Sequence, residues 1–166
     1  MTHAKQPLLI SACLLGDPVR YDAQSKGQPA ALLAQLEARY QLIPVCPECS
    51  GGLPVPRPAA EIRGGDGRQV WLGHAQVVTT SGEDATAAFK SGAEHSLQLA
   101  RQHGCQLALL KANSPSCGNT HIYDGSFSQQ LRPGPGVTSA LLQLHGLRVF
   151  NEEEVMELLT KPDNPD

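Results

Sequence analysis

The sequence predicts a single α/β domain in which a parallel sheet carries helices on both faces, with a small β-hairpin insertion. Three observations lead there. Short apolar runs alternate with segments of helical periodicity, an order that calls for parallel strands joined by right-handed crossovers. Three of those runs end in loops that carry a cysteine within a few residues of Pro or Gly. The 166 residues, 40% hydrophobic and 17% charged, are enough for one domain with its own core, without disulfides or a structural metal.

Leu8-Leu9-Ile10-Ser11-Ala12-Cys13 reads as a buried strand ended by a turn at Gly16, Asp17 and Pro18. From Pro29 to Tyr40, Ala31, Leu32, Leu33, Leu36 and Tyr40 recur at helical spacing, with Pro29 suited to a helix start. Leu42-Ile43-Pro44-Val45 is the second strand. Its exit, Cys46-Pro47-Glu48-Cys49-Ser50-Gly51-Gly52, runs on to Pro54, Pro56 and Pro58 and is expected to be a shaped loop without helix.

Val70-Trp71-Leu72 and Gln76-Val77-Val78-Thr79 bracket Gly73-His74-Ala75 as the expected hairpin insertion. Ala85 to His103 is the longest helical segment, and Gly104 stands where a C-terminal cap belongs. Leu107-Ala108-Leu109-Leu110 is the third strand, followed by the polar loop Lys111 to Asn119 with Cys117. A helix from Thr138, expected to cap it, to Leu144 precedes a fourth strand, Leu147 to Phe150. Asn151 then caps an acidic final helix, Glu152 to Leu159. The order is that of a Rossmann-like sheet in a domain spanning 1–160, with 161–166 expected to be a disordered tail.

The net charge of -3 and the scatter of Lys and Arg argue against a long nucleic acid as main partner. No apolar run approaches the roughly 18–20 residues that span a bilayer. Met1 to Gln6 lacks the pattern of an export signal, so the expected location is the cytoplasm. In that reducing compartment five cysteines, an odd number, are thiols available for chemistry and not a disulfide framework.

Ligands bind open parallel sheets beyond the carboxyl ends of the strands, where loops from different strands converge. Cys13, Cys46 and Cys117 all occupy such loops and can therefore surround one metal centre. Cys105, between Gly104 and a strand, reads as a small core residue. Cys46-x-x-Cys49 also admits a zinc knuckle or a thioredoxin-like redox pair. Two features weigh against these: Cys13 and Cys117 lack the close partners of a structural zinc site, and the glycines and prolines after Cys49 leave no helix to lower a thiol pKa.

Taken together, Ile10-Ser11-Ala12-Cys13-Leu14-Leu15-Gly16, Val45-Cys46-Pro47-Glu48, Gly51-Gly52-Leu53-Pro54 and Ser114-Pro115-Ser116-Cys117-Gly118 resemble the bacterial thiouracil desulfidase family. The resemblance runs from about Leu8 to Phe150 and includes Arg57-Pro58, Ala60-Glu61-Ile62, Tyr123-Asp124-Gly125 and Gly136-Val137-Thr138. It implies a 4Fe-4S cluster held by Cys13, Cys46 and Cys117 with one open iron, acting on the sulfur of a small thiolated pyrimidine. By the same resemblance Glu48 is the acid/base and Ser114 its partner, and sulfur leaves as hydrogen sulfide in a hydrolysis without net redox change.

Ser116, nearer Cys117, competes with Ser114 for that role, and Cys49 is expected to be a spectator. His74 and His121 read as surface or turn residues, and Arg20, Asp22 and Lys26 as a solvated charge cluster. Two other functions stay open: a zinc-binding or redox-sensing module without catalysis, and desulfuration of thiolated nucleosides in RNA.

Overall fold

The computed structural model describes residues 5–16, 20–22 and 27–160. The expected turn at Asp17 and Pro18, the charge at Lys26 and the tail at 161–166 lie outside them. Four parallel strands form the sheet: β1 (Gln6–Ser11), β2 (Tyr40–Val45), β5 (Leu107–Leu110) and β8 (Arg148–Asn151), in the order β2-β1-β5-β8. The runs of the two central strands, β1 and β5, have no polar face because both sides are covered. Leu8 and Ile10 point into one core with Leu36 of α1 (Ala30–Arg39) and Leu158 of α6 (Val155–Thr160). Leu9 points into the other with Phe89 and Leu97 of α4 (Thr86–His103) and Leu142 of α5 (Val137–Leu144).

The chain leaves β1 over α1 to reach β2, then returns past β1 over α4 to reach β5 on its other side. That reversal makes a switch point, the place where an open sheet leaves a crevice for ligands.

Four expectations are corrected. Val70-Trp71-Leu72 is helical, within α3 (Gly67–Leu72), because Asp66 and Gln69 form a capping box and Gly73 closes the other end in the left-handed region. The partner of β4 (Gln76–Thr79) is therefore β3 (Ala60–Arg63), in an antiparallel pair. The exit from β2 does contain a helix, the single turn α2 (Pro47–Ser50), since Pro at the first helical position costs no hydrogen bond. Thr138 is not a cap: Gly136 holds that position, and the Thr138 hydroxyl bonds Ser116 instead. A second antiparallel pair, β6 (His121–Tyr123) with β7 (Leu131–Pro133), was not anticipated. Asn151 does cap the final helical segment, through a box with Glu154.

Candidate active site

Each of the three motif cysteines is presented by the end of a parallel strand. Cys13 lies in a 3-10 turn (Ala12–Leu15) directly after β1, closed by Gly16 at φ 104°. Cys46 is the extended residue between β2 and α2. Cys117 ends a loop after β5, in which Ser114 Oγ accepts the backbone N–H groups of Ser116 and Cys117, both at 3.0 Å. That loop is tied down on two further sides. Ser139 Oγ donates to the Cys117 carbonyl at 2.7 Å, and Asn119 Nδ2 donates to Val149 O and to Glu154 Oε1.

Cys13, Cys46 and Cys117 line one cavity of about 500 Å³, together with Glu48 and Ser114. Cys49 and Cys105 are not among its lining residues. Cys105 belongs to the core, as expected. Cys49 turns to Arg57, whose Nη1 lies 3.9 Å from its sulfur, and also interacts with Cys46. Ser116 is fully buried, its hydroxyl 2.7 Å from Thr138 Oγ1, so of the two loop serines it is Ser114 that lines the cavity, where Ser11 also stands with its hydroxyl 3.9 Å from the Cys117 sulfur.

Burial governs the thiols. It pushes Cys46 up to about 12 and raises Cys13 and Cys117, while Lys111 and Arg20 partly offset the effect at Cys13. Although Cys46 stands at a helix start, contrary to expectation, it is not an activated redox thiol of low pKa. An electrophilic metal is what would make three such thiols ionise together.

Glu48 is fixed by a neighbour in the cavity wall. Arg57 Nε donates to Glu48 Oε1 at 3.0 Å, and its Nη1 donates to Pro54 O at 3.0 Å. The arginine side chain is 4% exposed, against 20% for the glutamate. Lys111, also at the cavity, pairs with Glu152 at 2.8 Å. Arg20 lines the cavity and pairs with Asp22 at 3.5 Å, so it belongs to the site and is not merely solvated charge. His74 and His121 are exposed and outside it.

Residues without a spacing signal complete the wall: Tyr21, Arg57, Glu61, Tyr123 and Gln129. Arg57, Glu61 and Tyr123 do fall within segments that carry the family resemblance.

A family described as 2-thiouracil desulfurase matches residues 8–154. The chain belongs to that family. A curated relative, the uncharacterized protein YbbK of Bacillus subtilis (strain 168), is 40% identical over 152 residues, 92% of this chain and 99% of the relative. Among solved structures, a 4Fe-4S-dependent thiouracil desulfidase, TudS, is 48% identical, covers 93% of this chain and 95% of its own, and superposes with a TM-score of 0.82. The family is one of enzymes, and the likeness to TudS extends over the Rossmann-like sheet and its helices.

Proposed function

We propose that the protein is an iron-sulfur-dependent desulfidase that converts thiouracil, 4-thiouracil and also 2-thiouracil, to uracil and hydrogen sulfide without net redox change. In this reading Cys13, Cys46 and Cys117 hold a 4Fe-4S cluster through three of its irons. The observation that carries it is the placement of these three sulfurs, from three separate strand ends, on one cavity wall with an anchored carboxylate.

The donor set fits such a group. It is all thiolate, the soft ligand that iron-sulfur clusters take. The three thiols line one cavity of about 500 Å³, room for a group larger than a single ion. Arg20 and Lys111 supply positive charge beside Cys13, which supports a collection of thiolates. When bound with three protein ligands, a cluster supplies an iron with an open position, a Lewis acid matched to a soft thiocarbonyl sulfur.

The protein's own part is proton transfer and positioning. Glu48, held by Arg57, takes a proton from water as its oxygen attacks the thiocarbonyl carbon. Glu48 returns that proton to sulfur and then carries the proton of the added hydroxyl to it as the C–S bond breaks and the carbonyl forms, so both protons of the water leave with sulfur as hydrogen sulfide. The oxygen of Ser114 already accepts two backbone N–H groups, so the role open to its hydroxyl is donation toward the cavity.

The reading extends to a small thiolated pyrimidine as substrate, a soluble cytoplasmic setting, and one domain over 1–160. In the described residues no helix is long and apolar enough to cross a membrane. Anaerobically reconstituted protein given 4-thiouracil and 2-thiouracil tests it: sulfide and uracil in equal amounts support the proposal, and no sulfide from either ends it. Tight, salt-sensitive tRNA binding would instead favour thiolated RNA.

A further inference from the structure

We infer that Glu61 is the acceptor for a ring N–H of the pyrimidine, and that it restricts the site to rings whose N–H is unsubstituted. The inference rests on the desulfidase reading and adds to it the group that recognises the heterocycle.

Glu61 sits at the middle of β3, is 9% exposed, and its side chain lines the cavity. Its Oε1 accepts the backbone N–H groups of Gly125 at 2.9 Å and Phe127 at 3.1 Å. These two bonds clamp the turn after β6 and, with it, the flanking Tyr123 and Gln129 that also line the cavity. Oε2 has no hydrogen-bond partner among the described residues, and no cation there pairs with the carboxylate. Arg63, on the same strand, instead donates to the Gly125 carbonyl and lies over the Phe127 ring, 5.8 Å from its centroid.

A largely buried carboxylate held through one oxygen presents the other, which still reaches solvent, as an oriented acceptor. Such a group needs a donor when the cavity fills, since an unmet buried acceptor costs affinity. Uracil and its thio derivatives carry two ring N–H donors, and Tyr123 on the same wall offers an aromatic surface for the ring. A site built to bond an N–H rejects analogues without it far more strongly than apolar packing alone does.

The test uses the anaerobically reconstituted holoenzyme and uracil, which binds without turnover, beside 1-methyluracil and 3-methyluracil. Wild type is expected to bind uracil roughly ten to a hundred times more tightly than one of the two methylated rings, the range of a charge-assisted hydrogen bond. In E61Q the amide oxygen still accepts from Gly125 and Phe127, while the cavity-facing atom becomes an N–H donor. That variant should keep its iron and sulfide content and lose the discrimination to within about twofold.

Equal affinity of wild type for all three rings overturns the inference without any variant, as does an unchanged methyl penalty in E61Q. Sulfide release from 4-thiouracil by the same wild-type preparation is read separately. If it fails while the methyl pattern holds, the desulfidase reading falls and the Glu61 subsite stands.

Discussion

Arg57 reaches Glu48 across the loop between α2 and β3, with Nε 3.0 Å from Oε1, and the same guanidinium is pinned by Pro54 O and lies against the Cys49 sulfur. One buried cation thus fixes the carboxylate beside Cys46 and occupies the neighbouring Cys49. Glu48→Gln should lower kcat by roughly 10²–10⁴, the usual worth of a general base, with iron content unchanged. Arg57→Ala should cost roughly tenfold to a hundredfold in kcat by leaving that carboxylate unanchored. Arg57→Lys should recover only part of it, because one ammonium cannot reproduce the planar fork. Steady-state kinetics with iron analysis of each variant decides these; full activity in Arg57→Ala would show that Glu48 needs no anchor.

The cysteines divide by position. Single serine variants of Cys13, Cys46 and Cys117 are expected to lose most of their iron and acid-labile sulfide and the brown colour after anaerobic reconstitution. Cys49→Ser and Cys105→Ser should retain both, because neither sulfur lines the cavity. A colourless Cys49→Ser protein would place that residue among the ligands.

Two glycines set the position of α2 against α4. A Cβ at Gly92 would fall 1.8 Å from Pro47 O, and one at Gly51 would fall 2.1 Å from Ala88 O. The short helix that carries Glu48 and follows Cys46 therefore rests directly on α4 backbone. Gly92→Ala should destabilise the protein by about 1–3 kcal/mol, the range for overpacking, despite alanine's better helix propensity. It should also reduce iron retention by displacing Cys46. A melting temperature and iron content equal to wild type would contradict this.

Asp66 gives a pH-dependent test away from the cavity. Burial opposes its ionisation, but hydrogen bonds from the Arg68 side chain and backbone outweigh burial and hold its carboxyl below the ordinary 3.8. A carboxyl of lowered pKa contributes stability that is present above its unfolded value and lost as pH falls through the folded one. Asp66→Asn keeps an acceptor for the helix cap but removes the charge paired with the exposed Arg68, and should cost about 0.5 kcal/mol near neutrality. The gap to wild type should then narrow below pH 3.8. Urea midpoints of both proteins, cluster-free, at about pH 7 and about pH 3 measure it; a constant gap would remove Asp66 as the cause.

The sequence alone determined the four parallel strands, because buried strands read as short continuous apolar runs, and it marked the three cysteines by their place in the loops that leave strand ends. The long helix ending at Gly104 and the capping by Asn151 were legible for the same local reasons. Local pattern misled at Val70-Trp71-Leu72, an apolar triplet before Gly that suits a hairpin as well as a helix until the Asp66–Gln69 box is weighed. At Cys46 the prolines and glycines concealed a single helical turn that they in fact begin and end.

What only the tertiary structure decided is which side chains meet. Arg57 and Glu48 meet because a proline-rich loop folds back, and Ser114 faces the cavity because Thr138 draws Ser116 away. Glu61 becomes part of the wall because a distant turn closes on one of its oxygens. Periodicity and caps act over a few residues, so they can be read along the chain. A site is assembled by packing between elements far apart in sequence, and that is decided only when the sheet closes.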